Sequence, residues 1–485
     1  MSSLAQVSDL LQLDTAINNP AIKTIQLTKN IIIYHSKTLL PGQTLTGKYQ
    51  GTVYALILKY DNTSTLLSSS ALRVTQNNTI KNIILNYDNR GNVLFNDRAL
   101  ISNYYDVHCE KNNGCLNVGN LQIEHVKFIG AGIRIEVQDQ SQTSHIIIRD
   151  NQFKIDTRIN FPVLLEARTA STITIDSFQG NQLNIHAATS GAISNMALGV
   201  DSHIIYTSNL GGNNKNTRNI INITGNHKKH PFPFVLTAGI YNYSSGNNSS
   251  VKFIDSGISY NTISIVNTER NAKIHLSGIK NRVRHGGSIL LENGIVNNNI
   301  RVRNKFIGND AYPFPPSGSV SQGISNENFE GKIIIGNAKQ ALANNTINIS
   351  GTSGESAVIS NQFNKATNSR IVFVGDVINN KMTLAAKNTA AIIHNDAAGF
   401  QQNNKIIYRG LIRNNSFQVV QAIIGSNTSR QQPLVINSIL NQPISGNAII
   451  FARISKKSII DNNHFLITGK IIIDDKVDGG KIKYR

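Results

Sequence analysis

Asparagine recurs in this chain at the centre of a short apolar frame, and no other feature restricts the fold so tightly. Ile148-Arg149-Asp150-Asn151-Gln152-Phe153, Ile412-Arg413-Asn414-Asn415-Ser416-Phe417 and Ile460-Asp461-Asn462-Asn463-His464-Phe465 are copies of one hexad. Looser copies are Ile258-Ser259-Tyr260-Asn261-Thr262-Ile263, Ala343-Asn344-Asn345-Thr346-Ile347, Ile359-Ser360-Asn361-Gln362-Phe363 and Val377-Ile378-Asn379-Asn380-Lys381-Met382. A sharp corner between two short strands needs a residue in the left-handed conformation, and Asn tolerates it better than any other non-glycine residue. If coils stack at the strand spacing of about 4.8 Å, such Asn side chains can bond their equivalents above and below. The flanking Ile and Phe then point inward by the period-2 rule. The predicted fold is all-β: a right-handed parallel β-helix.

The segments between hexads fit. Ile31 to Ile33, Ile146 to Ile148, Ile333 to Ile335 and Ile471 to Ile473 are pure isoleucine, right for a buried parallel strand and too short for a core helix. Hydrophobic residues make up 40% and charged residues only 15%, so a core can be buried while Asn, Ser, Thr and Gln supply most of the polar surface. At roughly 22 to 25 residues per coil the chain would make about 18 to 20 coils, with insertions projecting from some turns.

Three regions are expected. Residues 1–22 hold a short capping helix over Leu4 to Asn18, with Ser8 or Ser3 as its cap, protecting the first coil's open edge. Residues 23–473 form the β-helix. Residues 474–485 are a polar edge or tail, and Asp474, Asp475 and Asp478 there read as a solvated end. The N-terminus shows no Sec signal and no stretch has membrane-spanning length, which leaves the compartment open. Cys109 and Cys115 could close a small loop in an oxidising compartment, but they lack the further ligands a zinc site needs.

The hexads, together with Lys23-Thr24-Ile25-Gln26-Leu27 and Leu40-Pro41-Gly42-Gln43-Thr44-Leu45-Thr46-Gly47 after a capping helix, resemble the pectate-lyase-like superfamily of parallel β-helix proteins. That resemblance implies a fold shared by pectate lyases, polygalacturonases, phage tailspikes and non-catalytic surface proteins, and does not choose among them.

Charge narrows the partner. The net charge of +19 and pI near 9.8 draw polyanions, although biased codon usage would also enrich Lys, Asn and Ile. Nucleic acid fits poorly, because the basic residues are dispersed and aromatics are only 6%. An acidic polysaccharide remains the expected partner. Glycoside hydrolysis needs carboxylates gathered on one face, and no motif gathers them; His285-Gly286-Gly287 is a fragment of the hydrolase motif without its acidic partners. A lyase needs cations to neutralise a uronate. Arg282 and Arg284 alternate on one strand, Arg301 and Arg303 repeat the alternation later, and stacking of the two pairs would put four guanidiniums on one face. The plain alternative is a solvated face.

Lys228, Lys229 and His230, in His227-Lys228-Lys229-His230-Pro231-Phe232-Pro233-Phe234, belong to a predicted projecting loop that could line a cleft, and Tyr312 to Pro316 could form the other wall. No calcium cluster is present and no cofactor is implied. Gly42 to Tyr49 nearly spells a phosphate loop, but Tyr49 stands where Ser or Thr must hold magnesium, so it reads as a coil turn. The resulting expectation is a β-helix that binds an acidic polysaccharide and could cleave it as lyase or hydrolase; the alternative is a structural or adhesive solenoid.

Overall fold

A computed structural model describes residues 3–59, 70–88, 99–104, 117–139, 142–156, 161–186, 190–225, 235–267, 274–304, 320–351, 356–364, 366–386, 390–396, 403–413 and 415–421, and strands at 436–439, 448–454, 459–462, 470–473 and 481–484. The chain winds as a right-handed parallel β-helix, visiting three long sheets in turn. One coil runs Ser144–Arg149 in the first sheet, Gln152–Ile155 in the second and Val163–Arg168 in the third, before Thr172–Gln179 returns to the first. Among the described residues the sheets hold 19, 12 and 14 strands. The single antiparallel pair among them is the small hairpin of Lys48–Tyr49 with Thr52–Val53.

The bore is filled as the hexads require. Ile289, Ile333, Ile371 and Ile406 stack in register on successive coils of the first sheet and are fully buried. Rings do the same: Phe128 on Phe153 at 4.5 Å, Tyr206 on Phe253 at 4.3 Å and Phe373 on Tyr408 at 4.6 Å. Each buried large apolar side chain stabilises by about 1.5–3 kcal/mol, so this column outweighs any single polar feature.

Two asparagine ladders run along the axis. At the corner between first and second sheets, Asn151, Asn181, Asn219, Asn261, Asn298, Asn345, Asn380 and Asn415 are linked, each Nδ2 donating to the next Oδ1 at 2.9–3.2 Å. The expectation that one Asn both turns the chain and stacks needs correction. The residue before the ladder Asn takes positive φ: Asp150 at 57°, Tyr260 at 55°, Asn297 at 57°, Asn344 at 55° and Asn379 at 56°. The turn is thereby relieved of its steric demand on the ladder residue, whose side chain is free to face inward.

The second ladder lies inside a strand. Asn195, Asn242, Asn281, Asn326, Asn361 and Asn395 face the bore from the third sheet, linked Nδ2 to Oδ1 at 2.7–2.9 Å. Tyr206 Oη donates to Asn195 Oδ1 at one end, and Tyr408 Oη donates to Asn395 Oδ1 at the other. Asn361, whose hexad predicts a corner, is instead a rung of this internal ladder. Ile459–Asn462 likewise lies in the third sheet.

Coils are longer than predicted. Successive corner asparagines are 30, 38, 42, 37, 47, 35 and 35 residues apart, because both the chain between second- and third-sheet strands and the stretch from the first-sheet strand to the corner vary in length. The opening also differs. Leu4–Val7 is a strand paired with Thr24–Leu27, and the helix is only Leu10–Ile17, capped by Asp9, whose carboxylate accepts from Gln12 N at 2.9 Å. Neither Ser3 nor Ser8 is the cap. Lys481–Tyr484 pairs with Ile459–Asn462 as an edge strand of the third sheet.

Candidate functional site

The second sheet's outer surface is built by alternation alone. Along Lys127–Ile129, Gln152–Ile155, Gln182–Ile185, Ile220–Gly225, Thr262–Asn267, Asn299–Asn304, Thr346–Gly351, Lys381–Ala386 and Ser416–Gln421, no strand residue is acidic. Ile, Leu, Phe, Met and Val occupy the inward positions, leaving Asn, Thr, Ser, Gln, Lys and Arg most of the outward ones. In register, Lys154, Asn184, Asn222, Ser264, Arg301, Asn348 and Thr383 form one outward row. Nine strands at about 4.8 Å give a track of about 38 Å. Its lower end carries a depression lined by Lys127, Gln152, Lys154, Gln182, Asn184 and His186.

Arg301 and Arg303 are exposed on this face, and neither has an ion pair or hydrogen-bond partner among the described residues. Flat, polar and cationic, the face can present donors and acceptors once per coil to a chain of hydroxyls, and two unneutralised guanidiniums to acidic groups.

The predicted stacking of the two arginine pairs does not occur. Arg282 and Arg284 lie on Ile274–Arg284 in the third sheet, where Arg282 is in register with Tyr243 and Glu327. Arg301 pairs with Ser264 and Asn348 in the second. One strand per sheet per coil separates them onto different faces. His285 sits at the corner after Arg284, exposed, with φ of 49°. Lys228, Lys229, His230, the 312–316 segment, Cys109, Cys115 and the 474–478 acidic group lie outside the described residues.

The third sheet's outer face is, by contrast, largely closed to solvent and internally paired. Gly239, Gly278 and Gly323 align where the in-and-out alternation skips a residue; a Cβ on Gly278 would meet Ile300 Cγ2 at 2.3 Å and Gly323 O at 2.7 Å. Beyond that kink Lys280, Arg282 and Arg284 point outward. Lys280 Nζ donates to Glu327 Oε1 at 2.5 Å, and Arg282 Nε lies 3.5 Å from Glu327 Oε2. Both guanidiniums lie over Phe329, at 4.6 and 4.3 Å from its centroid.

Earlier coils hold a carboxylate pair that no sequence motif announced. Glu136 and Glu166 are in register and buried. Arg134 Nε donates to Glu136 Oε1 at 2.6 Å, Arg168 donates to Glu166, and Arg168 Nη2 lies 3.8 Å from Glu136 Oε2. Burial, then the Glu136 charge, push the Glu166 carboxyl up. Arg134-Ile135-Glu136 and Glu166-Ala167-Arg168 were the available signal, one alternation written in opposite orders. Two cations balance two anions, which makes this a structural network.

Among the described residues no group of three or more metal-ligating side chains gathers, and no helix is long and apolar enough to cross a membrane. Comparison of the chain with protein-family models, curated proteins and solved structures found no match.

Proposed function

We propose that the protein binds an acidic polysaccharide along the outer face of the second sheet, with Arg301 and Arg303 engaging its acidic groups. The observation that carries this reading is a track of nine strands free of acidic residues, bearing two exposed arginines without a carboxylate partner among the described residues. The likeness of the hexads and the chain opening to the pectate-lyase-like superfamily supports a carbohydrate ligand at the level of fold only. Binding without cleavage is favoured, because the Glu136–Glu166 carboxylate pair is buried and charge-balanced.

The test is titration with polygalacturonate, alginate and heparin in parallel for three proteins. Arg301→Glu/Arg303→Glu should lower affinity more than tenfold. Lys332→Glu/Arg370→Glu, an equal charge change on exposed residues of the first sheet, should lower it less than threefold. Equal losses would reduce the effect to net charge and remove the track. Ultraviolet absorbance of unsaturated product, or reducing-end release, would convert the reading to a lyase or a hydrolase.

A further inference from the structure

The second sheet leaves unexplained why the third carries three cations in a half-closed cluster against so little negative charge. Lys280 is 3% exposed and Arg282 21%. Glu327 is the one carboxylate within ion-pair distance among the described residues, and its two oxygens already face Lys280 and Arg282. Among the described residues Arg284 has no ion pair. Arg284 Nε is buried and makes no hydrogen bond, whereas Arg282 Nε, also without a hydrogen bond, has Glu327 Oε2 beside it at 3.5 Å.

Buried N–H groups are almost always paired, and an unpaired one on a charged group is among the costlier defects a fold can carry. The electrostatics agree: burial, together with Arg282 and Arg284, holds the Lys280 ammonium below its usual range even though Glu327 contacts it. Burial opposes ionisation of Glu327, yet Lys280 and Arg282 outweigh it and hold that carboxyl low. The cluster is short of negative charge. Phe329 meanwhile fixes both guanidiniums before any ligand arrives, so little side-chain freedom is left to lose on binding.

We propose that Lys280, Arg282 and Arg284 form an oxyanion site that takes one carboxylate or sulfate group against Arg284 Nε, beside the guanidinium of Arg282 that Glu327 already faces. This site is separate from the second-sheet track. The competing explanation is that the arginines merely pack on Phe329, in which case anions will not matter.

Sodium sulfate and sodium chloride at equal ionic strength distinguish the two, read by thermal unfolding and by calorimetric titration. The wild type should show a saturable, sulfate-specific rise in Tm. Arg284→Met should bind sulfate at least tenfold more weakly, and in chloride should unfold at the wild-type temperature or above, since it removes an uncompensated cation. Arg301→Met/Arg303→Met should keep the full response, so failure here is distinguishable from failure of the polysaccharide reading. Absence of a sulfate-specific response in the wild type overturns the proposal without any variant; so does an undiminished response in Arg284→Met. Tri-galacturonate displacing sulfate would identify the group as a sugar acid, and sulfate binding unaffected by it would identify a free anion.

Discussion

Replacing Asn281 by Asp should turn the internal ladder into a pH-dependent liability. Asn281 accepts from Asn242 Nδ2 at 2.9 Å and donates to Asn326 Oδ1 at 2.8 Å, and it is fully buried. Asn281→Ala removes both bonds and leaves one donor and one acceptor stranded in the bore. At about 1–3 kcal/mol for each stranded group, the loss is about 2–6 kcal/mol. Asn281→Asp keeps the shape but swaps the donor for an oxygen facing Asn326 Oδ1. Protonated, the new carboxyl can still donate to that oxygen; ionised, it is a buried charge against an acceptor. Its folded pKa is therefore raised above the unfolded value of about 3.9, so the native state binds more protons and stability falls as pH rises through that window, by about 1.4 kcal/mol per unit. Urea midpoints at pH 4 and pH 7 measure this. The aspartate variant should approach the wild type at pH 4 and fall to the alanine variant or below at pH 7. Asn299→Asp, exposed on the second sheet, should show no such difference. A pH-independent Asn281→Asp, or an Asn281→Ala loss below about 1 kcal/mol, would refute the ladder as a source of stability.

Glu166→Gln should lose least, or gain, at alkaline pH: a raised folded pKa means the native carboxylate becomes a burden as pH climbs past the ordinary carboxylate range, and urea midpoints from pH 5 to 8 will show whether the variant's curve is flatter. His394, which burial holds at about 4, should weaken the fold as pH drops from 6.5 towards 4, because there the unfolded chain takes up the proton first; His394→Gln should remove that slope in thermal unfolding. Gly278→Ala should lower stability by about 1–3 kcal/mol by forcing a Cβ into Ile300 and the neighbouring strand, measured by denaturant titration. Asp9→Ala should cost about 1 kcal/mol through the lost helix cap, read in the same assay.

The solenoid was legible because its corner is local: a hexad is short enough for its apolar frame and its Asn to be seen together, and five of the eight corner-ladder residues, Asn151, Asn261, Asn345, Asn380 and Asn415, follow from that pattern. What the pattern could not carry was distance. The spacing between rungs is set by connections of variable length, so coil size was underestimated, and with it the sheet to which each arginine pair belongs. Arg282 and Arg301 are only 19 residues apart, about half of an actual coil, and so occupy consecutive strands of different sheets, which alternation within a strand cannot reveal. Leu4 to Val7 misled for a related reason: four residues fit a helix stripe or an edge strand equally, and pairing with Thr24–Leu27 decides. Asn361 shows the same limit in reverse, since identical residues mark a turn or a strand interior depending on what stacks above them.

Every amide bond of the internal ladder runs the same way, donor towards the C-terminal coil, and each rung presents its neighbour with the same pair of groups. A coil can accordingly be duplicated or deleted whole with both new junctions chemically identical to the old ones. Length in such a molecule is a quantity that recombination can adjust one repeat at a time, whereas the tyrosines that bond its outer rungs, Tyr206 on Asn195 and Tyr408 on Asn361 and Asn395, are the parts that cannot be copied inward.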